Sequence, residues 1–77
     1  MKVDIKIIGT LIRPFGKDVF RHECAGGATL LDLLRDLNYS ERHIPHIMAS
    51  VNGELKHHDA VINDDDAVTL SVTVGGG

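Results

Sequence analysis

One stretch of this chain repeats at the period of a helix, while the apolar segments on either side alternate at the period of strands. Leu30, Leu33, Leu34 and Leu37 stand at i, i+3, i+4 and i+7, the spacing that lines a single helical face. A chain of 77 residues with one apolar helical stripe has few ways to bury it. The helix must lie on a sheet assembled from the alternating segments, which is an α+β layer arrangement.

The helix is expected from Leu30 to Leu37 or Asn38. Thr29 supplies an N-cap, and Asp32 follows three residues later as a weaker form of the capping box, with Asp in place of Glu or Gln. Asn38 suits the left-handed residue that ends a helix.

Before the helix, Val3, Ile5 and Ile7 alternate with Asp4 and Lys6, so residues 2 to 8 read as a half-buried strand. Arg13-Pro14-Phe15-Gly16-Lys17-Asp18 carries the turn signals of a hairpin, and Val19 to Cys24 forms its return. After the helix, Ser40 to His46 is polar, contains Pro45, and reads as a loop. Ile47 to Val51 is a strand, Asn52-Gly53 is the chain's strongest hairpin signal, and Glu54-Leu55-Lys56 is a short return strand. A second loop, His57 to Asp66, ends in Asp64-Asp65-Asp66. The last strand, Ala67 to Val74, sets Val68, Leu70, Val72 and Val74 on one face and Thr69, Ser71 and Thr73 on the other, which exposes one side of the sheet. The order is β-β-α-β-β-β.

Composition removes several classes of function. A net charge of −3 with no basic cluster argues against nucleic-acid binding, which needs a basic footprint. No apolar run is long enough for a membrane helix. The start of the chain has no signal-peptide pattern, and a single cysteine, Cys24, fits a reducing compartment. A cytoplasmic location is expected.

The chain ends on Gly75-Gly76-Gly77 directly behind the last strand. Glycine has no Cβ and permits close backbone approach, so a carboxylate on Gly77 is sterically accessible. Three extended residues reach about 10 Å, enough to enter a narrow site on another protein. A carboxylate is a poor electrophile until it is converted to an acyl-adenylate that a thiol or persulfide can attack. On that reading the chain is a substrate. The alternative is an inert chain end.

Val51-Asn52-Gly53 at a hairpin, the acidic turn Asp64-Asp65-Asp66-Ala67-Val68, the terminal Gly76-Gly77 and the element order together resemble the ubiquitin-like, β-grasp sulfur carriers of the ThiS and MoaD type. The resemblance implies a β-grasp domain over residues 1–74, with four to five strands in a mixed sheet on one main helix, and a flexible glycine tail over 75–77. It further implies that a partner adenylating enzyme uses ATP and magnesium to activate Gly77, with Gly75 and Gly76 giving access. A sulfurtransferase or cysteine desulfurase then supplies the sulfur of a thiocarboxylate. A sulfur-accepting synthase in thiamin, molybdopterin, tRNA or cysteine biosynthesis consumes it. The other readings are a ubiquitin-like modifier joined to target lysines through Gly77, and a β-grasp interaction module with an incidental tail.

Two features depart from that family's pattern. Asp65 stands where the acidic turn usually has glycine, so the turn must avoid positive φ or tolerate modest strain. The segment between Leu37 and Ile47, with His43 and His46, matches no signature.

The remaining polar residues read as structural. Cys24 ends a strand and is expected to be buried. His43, His46, His57 and His58 lack a zinc signature, with Pro45 inside the first pair, so no metal is expected. The three aspartates lack the glycine and distal glutamate of a calcium loop. Arg13 and Lys17 are expected to be solvated, and no catalytic constellation of the chain's own is evident.

Overall fold

The computed structural model describes residues 1–72. Its elements are β1 (Lys2–Ile7), β2 (Val19–Glu23), α1 (Leu30–Asp36), a 3-10 turn (Ile44–His46), β3 (Ile47–Val51), β4 (Glu54–Lys56) and β5 (Ala67–Val72). The strands form one mixed sheet in the order β2-β1-β5-β3-β4. β5 lies at its centre, parallel to β1 and antiparallel to β3. The part of the expected last strand beyond Val72 lies outside the described residues.

Register carries the alternation into three dimensions. Ile5 stands opposite Val68 and Ile7 opposite Leu70, while Ala49 flanks Leu70 on the other side. These inward residues meet Leu30, Leu33, Leu34 and Leu37, and all are buried. Tyr39, Ile44 and Ile62 extend the same core. Burying an aliphatic side chain of this size contributes about 1.5 to 3 kcal/mol, so the four leucines alone account for much of what holds helix to sheet.

Both ends of α1 are closed by the residues the pattern singled out. Thr29 Oγ1 accepts from the Asp32 N–H at 3.2 Å, and the Asp32 carboxylate accepts from the Thr29 N–H at 3.0 Å. The box is complete despite the shorter acid. At the C-terminus Asn38 takes φ +67°. Its N–H donates to Arg35 O at 2.9 Å and the Tyr39 N–H to Leu34 O at 3.2 Å, the paired bonds of a Schellman motif.

The segment from 57 to 66 is more ordered than a loop reading implies. The N–H of Leu30 donates to Ala60 O at 3.0 Å, Leu31 to His58 O at 2.9 Å, and Ile62 to Ala28 O at 2.9 Å. The start of the helix is thereby fixed to the sheet's far connection. The Ser40 to His46 segment contains the 3-10 turn, with Ile44 buried.

Candidate functional site

The chain reaches its last described residue along the central strand of the sheet. Val72 stands opposite Ile47 in β3, and on the other side the Ile8 N–H donates to Leu70 O at 3.0 Å. Gly75, Gly76 and Gly77, the residues expected to carry the chemistry, lie outside the described residues. What the structure defines is the surface around the end of β5.

That surface includes the outer face of the sheet. Lys6, Thr69, Ser50 and Leu55 occupy one row across β1, β5, β3 and β4, with Val19 of β2 at its end. Met48 lies opposite Ser71 in the next row, and Ile8 follows the inward Ile7. Ile8, Met48, Leu55 and Val19 are all exposed large apolar residues, Leu55 at 66%. A shallow cleft of about 440 Å3, lined by Pro45, Ile47, Met48, Leu55, Lys56, His57 and His58, continues the apolar surface around β4. An apolar area with a polar surround is a surface suited to protein contact. None of these residues is singled out by the sequence alone; their signal was apolar side chains at outward positions of otherwise polar alternation.

The opposite end of β5 is held by the acidic turn. Asp64 Oδ1 accepts from the Lys2 N–H at 2.8 Å, the Asp65 N–H donates to Lys2 O at 2.7 Å, and Asp66 accepts from the Asn63 N–H at 2.8 Å and from Asn52 Nδ2 at 2.9 Å. Asn52 Oδ1 in turn accepts from the Ala67 N–H at 2.9 Å. Asn52 and Gly53 have φ +51° and +86°, as a two-residue hairpin turn requires. The turn takes the strained of its two options: Asp65 has φ +66°, and its carboxylate pairs with Arg21, which also reaches Asp4 at 3.2 Å. The three aspartates are therefore fasteners of the sheet.

Arg13 corrects the expectation of a solvated residue. Its guanidinium donates to Gly9 O and Leu11 O, both at 2.6 Å, and to Asp18 Oδ1 at 2.8 Å. It clamps the loop between β1 and β2. Tyr39 Oη donates to Ile12 O at 2.6 Å from the other side, and burial pushes the Tyr39 hydroxyl pKa up. Phe15 stands edge-on to Phe20 at 5.2 Å and stacks on His22 at 6.4 Å. His22 meets Asp36 of α1.

Cys24 is half-buried rather than buried, beside a small hollow with Gly26, Gly27, Asp32 and Asp36. Burial raises its thiol pKa, which disfavours the nucleophilic thiolate at neutral pH. Among the described residues no three His, Cys, Asp or Glu side chains converge as a metal site, and no helix is long and apolar enough to cross a membrane.

A mixed five-stranded sheet grasping one helix, with its last strand central and parallel to the first, defines a ubiquitin-like β-grasp protein. The ThiS family model matches residues 10–77, and the chain belongs to the ThiS family. Among solved structures it is similar to SAMP1 from Haloferax volcanii, with 22% identity over 100% of both chains and a TM-score of 0.78. It is similar also to a putative molybdopterin converting factor subunit 1 from Pyrococcus furiosus, with 22% identity over 95% of this chain and 98% of that one and a TM-score of 0.76. A third relative in fold comes from a complex of subunits 1 and 2 of molybdopterin-converting factor from Helicobacter pylori, with 21% identity over 100% of both chains and a TM-score of 0.64. No curated protein matches the sequence.

Proposed function

We propose that this chain is a cytoplasmic sulfur carrier whose reactive group is the Gly77 carboxylate. The observation that carries the reading is the placement of β5. It is hydrogen-bonded to β1 as far as Leu70 and to β3 as far as Val72, the last described residue, it continues in sequence to three glycines, and exposed Ile8, Met48 and Leu55 lie on the outer face of the same sheet. A rigid handle, an apolar contact surface and an unhindered carboxylate are what an activating partner needs in order to hold one end while acting on the other. Family membership and the fold shared with a subunit of a two-protein converting factor support the same reading.

In the first step a Gly77 carboxylate oxygen attacks the α-phosphorus of ATP, bound with magnesium on the partner, and pyrophosphate leaves. The terminal sulfur of a persulfide attacks the acyl carbon and displaces AMP. A second thiol then reduces the resulting acyl disulfide, forming a disulfide and leaving a thiocarboxylate on Gly77. A synthase accepts that sulfur.

Intact-mass measurement with the activating partner, ATP and a sulfur source tests the proposal. The expected result is a gain equal to exchanging one oxygen for sulfur, lost in Gly76→Val and in a chain extended by one residue beyond Gly77, both of which remain folded. Leu55→Asp should weaken partner binding without unfolding the domain. A high-mass ladder that requires Gly77 would instead establish a modifier, the reading suggested by the name of the Haloferax volcanii small archaeal modifier protein 1. No mass change under any condition would leave a β-grasp interaction module.

A further inference from the structure

Of the chain's five histidines, His57 lines the cleft beside β4, and the other four separate by what they touch. His22 meets Asp36 and lies against Phe15, and His58 Nε2 lies 2.7 Å from Ile47 O. The imidazoles of His43 and His46 have no hydrogen-bond or ion-pair partner among the described residues, yet both line one groove with Thr10, Leu11, Ile12 and Val72.

Local backbone geometry explains why they share it. His43 caps the 3-10 turn, and the His46 N–H donates to His43 O at 2.9 Å. Residues three apart in a 3-10 helix eclipse one another, so the two imidazoles rise from the same side of one turn. In sequence Pro45 argued against a metal pair. In the structure it occupies the second position of the turn, where its missing N–H costs no helical bond and its ring stiffens the spacing between the two histidines.

We propose that His43 and His46 form a two-histidine site for a borderline divalent transition cation, Cu2+, Ni2+ or Zn2+, with the remaining coordination positions open to solvent or to a group from another molecule. Imidazole nitrogen suits these ions, and a preset turn reduces the entropy lost when two ligands are brought to one ion. Among the described residues the groove presents no carboxylate, which favours ions that take imidazole nitrogen over Mg2+ and Ca2+. Apolar Leu11, Ile12 and Val72 line the same groove, and an apolar surround tunes a metal site. The site is defined by the turn and the groove, independently of the chemistry of the glycine tail.

The test is a titration of untagged, metal-free protein with Cu2+, Ni2+, Zn2+ and Mg2+, followed residue by residue in amide NMR spectra. Perturbation by the first three should centre on residues 10–12 and 43–47, with Cu2+ binding most tightly and Mg2+ producing none. His43→Gln and His46→Gln each remove a ligand and should weaken binding by about tenfold or more, while His57→Gln leaves it unchanged. The proposal is overturned if the wild type shows no perturbation, or if the effect centres on Cys24 and Met1 or on His57 and His58. It is equally overturned if either of the first two variants binds as the wild type does, or if Mg2+ competes.

Discussion

Asp65 offers a direct measurement of the strain that the acidic turn accepts in order to start β5. Its φ of +66° costs a non-glycine residue about 1 to 2 kcal/mol, whereas glycine adopts it freely. The informative comparison is Asp65→Gly against Asp65→Ala. Both variants lose the pair with Arg21, and both keep the N–H donated to Lys2 O, so those contributions cancel. Glycine's greater freedom in the unfolded chain offsets about 0.4 to 1 kcal/mol of its advantage. The remainder, about 0.8 kcal/mol at the centre of these ranges in favour of the glycine variant over the alanine variant, corresponds to a melting temperature higher by about 3 to 6 °C in a domain of this size. Thermal and denaturant unfolding of the two variants, under identical buffer, read the difference. An alanine variant as stable as the glycine variant would refute the positive φ and the strain with it.

Two further perturbations probe other parts of the scaffold. The Thr29 backbone N–H and then its hydroxyl hold the Asp32 carboxyl below the usual carboxylate range, so this group contributes stability that is present above its unfolded pKa and lost as the pH falls through the folded one. The stability gap between wild type and Asp32→Asn should therefore be widest near neutrality and close on acidification, and a gap that persists in acid would contradict the box. Arg13→Ala removes the donor that serves Gly9 O and Leu11 O, and should cost about 1 to 3 kcal/mol while speeding amide exchange between residues 9 and 16 more than in α1. Uniform loosening of the whole domain would argue against a local clamp.

The legible parts of this fold are those written in side-chain period. Leu30, Leu33, Leu34 and Leu37 fix a helix because burial selects one face, and Val3, Ile5, Ile7, Val68 and Leu70 fix inward strand faces for the same reason. Asn52-Gly53 names its turn through two positive φ values. Contacts made through backbone atoms left no such trace. The 57–66 segment closes on α1 by carbonyls of His58 and Ala60, which any residue could supply. Arg13 reads as a solvated cation until the curl of residues 9–12 turns two carbonyls toward it. Pro45 reads as a break between two histidines until the chain is seen to bend into a 3-10 turn around it. Of the candidate site, the exposure of one sheet face was legible, and its apolar residues required the register; the glycines were legible by sequence and lie outside the described residues.

The two ends of β5 divide the work of the domain electrostatically as well as mechanically. At its start, Asp64, Asp65 and Asp66 sit with Asp4 and a shared Arg21, so the acidic excess of a chain with net charge −3 is concentrated where the sheet is fastened. Toward its far end the surface is formed by Ile8, Met48 and the groove of Thr10, Ile12, His43 and His46. A partner that opposes the acidic end loses nothing of the apolar contact, and one that carries negative charge is turned away from that end and toward the other before contact. Charge placement of this kind acts on encounter and orientation more than on final affinity. Among the described residues, the acidic start of β5 therefore turns a negatively charged partner face toward the apolar outer face and the groove.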